Sequence, residues 1–314
     1  MTKTFDISGK RVWVAGHRGM VGSAIVRRLA SENCTVLTAT RAELNLTRQA
    51  DVERWMETHK PEVVFDAAAV VGGILANSTR PTEFLTDNLE IQSNIIATAH
   101  KIGVKKLMFL GSSCIYPRLA PQPLHEDSLL TGPLEPTNQW YAIAKIAGIM
   151  QCQAYRRANG DDFISAMPTN LYGPGDNFDL QSSHVLPALI VKAHHAKLAG
   201  DKTMTIWGSG KPLREFLHVD DLADACVFLM KNYSEDQHIN VGYGSDVTIR
   251  QAAETVARVV GFKGEFIYDT SKPDGTPRKL MDCSRLNNLG WRPSITFEQG
   301  IAHAYDWFLK HAAQ

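Results

Sequence analysis

The chain has 314 residues, of which 44% are hydrophobic and 21% are charged, as is typical of a soluble globular protein with a sizeable core. Lysine plus arginine and aspartate plus glutamate each total 33, so no overall basic field exists to attract nucleic acid or an anionic membrane, and we expect neither as a partner. The five cysteines are scattered, odd in number and without a C-x-x-C pair, which argues against a disulfide framework or a metal site and predicts a reducing, cytoplasmic location. Residues 1–6 contain no apolar signal region, and no apolar run reaches membrane-spanning length.

A glycine-rich turn links the first predicted strand, residues 10–15, to a predicted helix, residues 23–31. The turn consists of Gly16, His17, Arg18, Gly19, Met20, Val21 and Gly22. In a dinucleotide fingerprint the first glycine permits the tight turn, the second lets backbone approach the pyrophosphate, and the third lets the helix pack on the strand. A surface turn is the alternative, but the strand–turn–helix context favours a cofactor whose pyrophosphate lies on the helix amino terminus.

The second predicted strand, residues 34–40, is followed by Arg41 rather than by an acidic residue. NAD sites usually place Asp or Glu here to bind the ribose hydroxyls, whereas an arginine suits a 2′-phosphate. Arg18 is a candidate partner of Arg41, because guanidinium groups bind phosphate through two hydrogen bonds. Both arginines are compatible with a plain solvated surface, but the missing acid favours NADP over NAD.

Strands and helices continue to alternate along the first half of the chain. We predict a helix at residues 50–59, a strand at 62–66 followed by small residues at 67–73, a helix at 88–101 and a strand from 105. The small residues would let a cofactor lie close to the backbone. Repeated βα units of this length predict an α/β fold with a Rossmann-type doubly wound parallel sheet.

The stretch from Lys106 to Tyr116 begins as an apolar run of strand length and ends in small polar residues. This profile is typical of a buried central strand whose carboxyl end opens into the crevice where open α/β sheets bind ligands. Ser112 and Cys114 are two residues apart, so in an extended chain their side chains point to the same face. Most buried cysteines are small hydrophobes, and the residues alone leave that alternative open for Cys114.

Tyr141 and Lys145 are four residues apart in a predicted helix and therefore share a face. A nearby ammonium is expected to lower the pKa of the tyrosine and make it a better proton donor to a nascent alkoxide. A Tyr-x-x-x-Lys pair alone is common on helix surfaces. Together with the glycine turn and the serine-bearing strand, it points to a dehydrogenase-type site.

The second half of the chain is predicted to add a smaller α/β lobe. A strand at residues 163–167 ends in Pro168, Thr169, Asn170 and Leu171, and beyond residue 173 the chain is expected to leave the sheet. We assign residues 1–172 with 214–243 to the cofactor-binding domain and residues 173–213 with 244–314 to the substrate domain. A helix is expected to open at residues 181–187, and an amphipathic helix at 296–311 closes the chain.

Four motifs give the chain a full-length resemblance to the extended short-chain dehydrogenase/reductase superfamily. They are G-H-R-G-M-V-G at 16–22, G-S-S-C-I-Y-P at 111–117, P-T-N-L-Y-G-P at 168–174 and K-P-D-G-T-P-R-K at 272–279. Ser112, Tyr141 and Lys145 match the catalytic triad of the superfamily. Within it, the chain resembles the bifunctional enzymes that use NADPH to epimerise and reduce GDP-4-keto-6-deoxy-D-mannose, giving GDP-L-fucose.

The resemblance implies a role for each matching residue. The implied catalytic residues are Ser112, Cys114, Tyr141, Lys145 and His184. The implied NADPH/NADP+ ligands are residues 16–22 with Arg41, Leu110, Gly111, Ser112, Ser113, Tyr141, Lys145, Pro168, Thr169, Asn170, Leu171 and His184. The implied ligands of the GDP-sugar are Ser113, Cys114, Asn170, Lys192, Trp207, Arg214 and Asp274. A homodimer through the helices at 88–101 and 141–157 is also implied.

Several of these assignments have a plain structural alternative. Arg214 and the residues after it also suit a turn and helix cap, since Asp220 and Asp221 sit where an N-cap is wanted. The Pro-Asp-Gly run around Asp274 is a turn sequence in its own right. For Lys279 a surface role and a site role are equally compatible with the sequence.

The implied chemistry depends on one ketone. A carbonyl at C4 acidifies the C–H bonds at C3 and C5, so a single acid/base pair, Cys114 and His184, could invert both centres. Tyr141, with Ser112 and Lys145, would stabilise the enolate oxygen and later protonate O4. Two alternatives stay open: an enzyme that epimerises only C5 of a 3,6-dideoxy sugar before the same reduction, giving GDP-L-colitose, and a non-catalytic NADP-binding regulator.

Overall fold

The computed structural model of the protein describes residues 4–180, 182–272 and 274–313. Met1 to Lys3, Gln181 and Pro273, which belong to segments discussed above, lie outside the described residues. The strands are β1 (Arg11–Ala15), β2 (Thr35–Leu37), β3 (Val63–Asp66), β4 (Lys106–Leu110), β5 (Phe163–Pro168), β6 (Asn170–Tyr172), β7 (Thr203–Trp207), β8 (Leu213–His218), β9 (Ile239–Val241), β10 (Asp246–Thr248), β11 (Glu265–Asp269) and β12 (Arg278–Lys279). The α-helices are α1 (Met20–Leu29), α2 (Gln49–His59), α3 (Ile74–Thr79), α4 (Asn88–Lys101), α5 (Gln139–Asn159), α6 (Val185–Ala199), α7 (Val219–Asn232), α8 (Ile249–Val260), α9 (Ser284–Asn288) and α10 (Phe297–His311).

Six parallel strands form the central sheet in the order β2-β1-β3-β4-β5-β9. The predicted doubly wound parallel sheet is therefore confirmed. Strand β4 is buried along its whole length near the middle of the sheet, as its continuous apolar sequence indicates. Its carboxyl end, and that of its neighbours, opens toward the residues predicted to form the site.

Apolar side chains cover both faces of this sheet. On one face, β1, β3 and β4 contribute Val12, Phe65 and Met108 to a core shared with α1 and α7. On the other face, alternate residues such as Val64 and Phe109 pack with α2, α4 and α5. Within the described residues, every helix is too short or too polar to span a bilayer.

The smaller lobe has a separate core built from α6, α8 and α10. Strand β8 pairs with β6, β10 and β12, while β7 pairs with β11, so two small sheets flank these helices. Between α8 and α10 the chain returns to the large lobe, where Met281, Cys283, Leu286 and Trp291 pack into the cores of the six-stranded sheet. The division of the chain into two domains stays a prediction.

Two local expectations differ from the structure. Helix α1 begins at Met20 rather than at Ser23, because Gly19 is its N-cap residue. The N-cap of α7 is His218, whose ring nitrogen accepts the Asp220 N–H, so the assignment of that cap to Asp220 or Asp221 is wrong. Asp221 instead accepts hydrogen bonds from the Ser294 and Ile295 backbone N–H groups and so ties α7 to the chain before α10.

Candidate active site

The glycine turn after β1 is pressed against neighbouring backbone. Gly16 has a φ of +77°, and a Cβ there would lie 2.8 Å from the Ala67 carbonyl oxygen. A Cβ at Gly22 would lie 2.2 Å from the carbonyl oxygen of Gly16, so only glycine fits where α1 meets the turn. Gly19 caps α1, whose first turn carries no acidic side chain. The turn thus offers an open helix amino terminus to an anion, and these residues fit a dinucleotide pyrophosphate.

An acidic residue near this turn was missed by the sequence reasoning. Glu43 accepts a hydrogen bond from the Thr40 backbone N–H at 2.7 Å, which lowers the pKa of its carboxyl group, and the charges of Arg18 and His17 lower it further. The signal for this contact was the Thr-x-x-Glu pattern of a capping box. Arg18 and Arg41 are exposed, and their joint binding of a phosphate stays a prediction.

The chain beyond β4 folds into a tight turn instead of staying extended. Residues Ser113–Ile115 form a single 3₁₀ turn, and the Ser112 hydroxyl oxygen accepts the Cys114 N–H at 3.4 Å. The expectation that Ser112 and Cys114 share a face of an extended strand is therefore wrong. The turn nevertheless keeps the two side chains adjacent, and Cys114 is only 7% exposed.

Helix α5 packs against this turn and brings Tyr141 and Lys145 to it. The Lys145 ammonium donates a hydrogen bond to the Leu110 carbonyl oxygen at 2.9 Å and lies 5.7 Å from the centre of the Tyr141 ring. Burial raises the pKa of Tyr141 and lowers that of Lys145. Desolvation thus outweighs the expected effect of the ammonium on the tyrosine, and the phenol is held in its protonated, donating form.

Cys114 and His184 experience the same positive charge. Burial raises the pKa of the Cys114 thiol, while the ammonium of Lys279 and, more weakly, that of Lys145 act to lower it. His184, the N-cap residue of α6, is open to solvent, yet the surrounding protein and the Lys279 ammonium lower its pKa. In these forms the thiol can donate a proton and the imidazole can accept one. The sequence left the role of Lys279 open. In the structure its ammonium faces the same cleft as Cys114 and His184.

The four residues implied to bind substrate in the smaller lobe lie together. The Lys192 ammonium lies 4.6 Å from the centre of the Trp207 ring, which is 58% exposed. Asp274 accepts hydrogen bonds at 2.7 Å from both the backbone N–H and the hydroxyl group of Ser209, two residues beyond Trp207. The Arg214 guanidinium donates a hydrogen bond to the Leu213 carbonyl oxygen at 2.8 Å, and burial lowers the pKa of the guanidinium.

Several cations line this part of the smaller lobe, and the Lys272 ammonium also lies 5.4 Å from the centre of the Trp207 ring. Lys279 lies opposite Arg214 in the pairing of β12 with β8, and Lys192 lies beside the exposed indole of Trp207. Because burial disfavours their positive charges, an anionic ligand would stabilise Arg214 and Lys279 in particular. The arrangement suits a nucleoside diphosphate whose base stacks on the indole.

The ends of β5 and β6 complete the edge of the large sheet. Pro168 ends β5 beside β4, which ends at Leu110 and is followed by Gly111. The Asn170 amide donates to the Glu215 carbonyl oxygen at 2.8 Å, and Thr169 donates to the same oxygen at 3.5 Å. These contacts hold β6 on β8, so Asn170 has a structural function whether or not it also contacts a ligand.

The sequence profile of the NAD dependent epimerase/dehydratase family matches residues 12–242, a span that covers the glycine turn, the Ser112–Cys114 turn and helix α5. The chain belongs to this family. Within the family it is similar to GDP-L-fucose synthase of Sinorhizobium fredii, with 59% identity over 98% of both chains. GDP-L-colitose synthase of Yersinia pseudotuberculosis is 38% identical over 95% of this chain and 98% of its own.

A solved structure agrees with this placement in the epimerase/dehydratase family. The NADP-bound GDP-L-fucose synthetase of Naegleria fowleri superimposes with a TM-score of 0.89 at 29% identity, covering 98% of this chain and 97% of that one. The chain is a member of the GDP-L-fucose synthase group of extended short-chain dehydrogenase/reductases. The roles of its individual residues stay predictions.

Proposed function

We propose that this protein is an NADPH-dependent enzyme that converts GDP-4-keto-6-deoxy-D-mannose to GDP-L-fucose. The observation that carries the proposal is that the Cys114 thiol lies beside Ser112 and Lys145, two of the residues that a reductase would use. The Lys279 ammonium acts on the pKa of this thiol and on that of His184. A thiol at this point could supply the proton exchange that epimerisation needs and that reduction alone does not. The 59% identity to a GDP-L-fucose synthase over the full chain supports the same function.

The glycine turn, the end of β4 and the amino terminus of α5 would hold the cofactor. Gly16, Gly19 and Gly22 make room for the pyrophosphate, and Arg18 with Arg41 supplies positive charge for the 2′-phosphate. Residues 110–113 and 168–171, with Tyr141, Lys145 and His184, would line the nicotinamide side. When bound, NADPH supplies the hydride for C4.

Tyr141 protonates O4 during the reduction. Desolvation raises the pKa of its half-buried phenol, so the proton is kept at neutral pH, and Lys145, hydrogen-bonded to the Leu110 carbonyl, stabilises the negative charge that develops as the proton leaves. Ser112 is the second hydroxyl at this point and would hold the C4 oxygen in place. In epimerisation the same groups stabilise the enolate formed when a proton leaves C3 or C5.

Cys114 and His184 exchange the protons of C3 and C5. Neutral His184 can accept a proton and the Cys114 thiol can donate one, which inverts a carbon when the two groups act on opposite faces of the ring. The Lys279 ammonium favours the thiolate and disfavours the imidazolium. It therefore makes the thiol a stronger acid and keeps the imidazole neutral, in the form that accepts a proton.

The cations of the smaller lobe and Trp207 bind the GDP portion. Lys192, Arg214 and Lys279 would neutralise the diphosphate, Trp207 would pack against the guanine or the sugar, and Asp274 fixes the loop that carries Ser209. Ser113 and Asn170 would contact the sugar. This arrangement orients the ketone toward Tyr141.

The choice of sugar is tested by presenting two substrates. With NADPH, we expect rapid oxidation of the cofactor with GDP-4-keto-6-deoxymannose and much slower oxidation with the 3,6-dideoxy analogue. A preference for the dideoxy sugar would make the protein a GDP-L-colitose synthase, and no oxidation with either would indicate the non-catalytic regulator. The identities of 59% and 38% to the two kinds of synthase favour the first outcome.

Removing Arg18 and Arg41 should abolish the preference for NADPH. We expect the double variant Arg18→Ala/Arg41→Ala to raise the KM for NADPH by about 10²-fold or more, because charged hydrogen bonds to phosphate contribute about 1.5–3 kcal/mol each. The KM for NADH should change little. Arg250→Ala, which removes an exposed arginine of α8, is the matched control. An unchanged ratio of the two KM values would refute the assignment.

We also propose a homodimer in the cytoplasm. Helix α5 exposes Trp140, Ile143 and Met150 along one face, a spacing that suits the helix pairing expected from the superfamily. All five cysteines are free, which supports a reducing compartment. The mass of the protein in solution tests the dimer.

A further inference from the structure

Asp66 is a buried carboxyl group that the reaction described above does not use. It ends β3, is 1% exposed, and accepts the Ala68 N–H through Oδ1 at 3.3 Å. Its other oxygen, Oδ2, is also buried and has no hydrogen-bond partner among the described residues. Burying a carboxylate with an unpaired oxygen is costly, so this group either stays protonated or has a positive charge nearby.

Strand register places Asp66 on the sheet face that α4 and α5 cover. Along β3, Val64 packs in the core that faces α5, so Asp66, two residues later, points to the same side. Asp66 is directly paired with Phe109 of β4, whose ring belongs to that core. Neighbouring strands lie about 4.8 Å apart, so the Asp66 carboxyl group and the Phe109 ring are adjacent.

Lys145 lies over that same ring. Its ammonium is 4.7 Å from the centre of the Phe109 ring, and α5 approaches so closely that a Cβ at Gly148 would lie 2.3 Å from a ring atom. The turn before Lys145 is fixed by Gln92, whose side-chain amide donates to the Ala144 carbonyl oxygen at 2.6 Å. Phe109 therefore has Asp66 beside it in the sheet and Lys145 above it.

We infer that the Asp66 carboxylate is the buried counter-charge of Lys145 and acts as a positioning residue that keeps this ammonium charged and in place during reduction. The inference rests on the proposed function. Burial raises the pKa of Asp66 to about 6 and the Lys145 ammonium opposes that rise, whereas burial lowers the pKa of Lys145 and Asp66 opposes that fall. The two groups thus stabilise each other's charged forms above pH 6.

The other acidic groups near this pair keep their protons and are neutral at that pH. Burial raises the pKa values of Tyr141 and Cys152 on α5 and of Cys114 in the turn after β4, so each keeps its proton. The ammonium of Lys279 acts on Cys114 and brings no negative charge to the pair. Asp66 is consequently the one full negative charge acting on Lys145 among the described residues.

Asp66→Asn tests the inference, because it keeps the shape of the side chain and removes the charge. Without the carboxylate the pKa of Lys145 falls, so its proton is lost at lower pH. The alkaline limb of kcat/KM for NADPH oxidation should move down by about 1 pH unit, as expected for the loss of an opposite charge nearby. Thr98→Val, which removes a buried polar atom from α4, is the control for loss of stability alone.

The outcomes separate the inference from the proposed function. A shifted alkaline limb in Asp66→Asn with an unshifted one in Thr98→Val supports the inference; an unshifted limb in both overturns it. If Asp66→Asn does not fold, carbon-13 NMR of labelled aspartate in wild type and Lys145→Met replaces it. The pKa of Asp66 should then be higher in Lys145→Met, and an equal value overturns the inference. If the wild-type enzyme oxidises no NADPH with the keto sugar, the proposed function itself fails.

Discussion

Replacing Cys114 with serine is expected to reduce proton exchange at C3 and C5 by about 10²–10⁴-fold, the range in which positioned acids and bases contribute. Serine fits the same buried space in the turn after β4, so the fold and NADPH binding should be preserved. Its hydroxyl group is far less acidic than a thiol and cannot exchange protons near neutral pH. The measurement is incorporation of deuterium from D₂O into GDP-4-keto-6-deoxymannose without NADPH.

A second buried cysteine provides the control for this substitution. Cys152 lies on α5, is 1% exposed and packs in the core that faces the sheet, so Cys152→Ser should leave the exchange rate unchanged. Full deuterium incorporation by Cys114→Ser would remove the thiol from the mechanism. Equal losses in both serine variants would indicate damage to the fold rather than to the chemistry.

Replacing Tyr141 with phenylalanine is expected to slow hydride transfer by about 10²–10⁴-fold, because the C4 oxygen then has no proton donor as it becomes an alkoxide. The half-buried ring keeps its edge contact with Phe84, whose centre lies 6.2 Å away, so the helix should remain in place. Binding of NADPH, followed by fluorescence, should change little. Single-turnover oxidation of NADPH is the direct measurement.

Exchange at C3 and C5 distinguishes the roles of Tyr141 and Cys114. In Tyr141→Phe some exchange should persist, since Cys114 and His184 remain, although the enolate loses one hydrogen-bond donor. Tyr155→Phe removes a hydroxyl from the same helix, where the ring contacts His100, and is the matched control. An unaltered reduction rate in Tyr141→Phe would refute the assignment of the proton donor.

Local patterns predicted most elements of the large lobe. Helix α4 spans Asn88–Lys101, the range that its periodicity indicates, and the glycine turn lies between β1 and α1 as the fingerprint requires. Tyr141 and Lys145 are on one helix because their spacing of four is a property of the sequence itself. These features depend on residues close together in the chain.

Features that depend on distant contacts could not be predicted in this way. Asp221 is unavailable for capping α7, because its carboxylate binds backbone groups 73 and 74 residues further on. The proposed pairing of Asp66 with Lys145 depends on the register of β3 against β4 and on the packing of α5 against Phe109. The proximity of Lys279 to Cys114 and His184 depends on how the two lobes meet.

The turn that contains Ser112 and Cys114 could be predicted from the sequence only in part. The strand and the polar residues after it follow from the sequence, but the 3₁₀ turn that places the Cys114 N–H on the Ser112 hydroxyl does not. The extended geometry assumed from alternation fails there because the strand ends at Leu110. The turn brings the thiol within the electrostatic influence of Lys145 and Lys279, whose positive charges act to lower its pKa.

One incubation tests the central claim, that a single site epimerises at two carbons and reduces the ketone between them. The protein is incubated with GDP-4-keto-6-deoxymannose and unlabelled NADPH in D₂O, and the product is analysed by NMR. We predict GDP-L-fucose with deuterium at C3 and C5 and hydrogen at C4. A reduced product without deuterium at C3 or C5 would refute this mechanism, because it would show a reductase that does not epimerise.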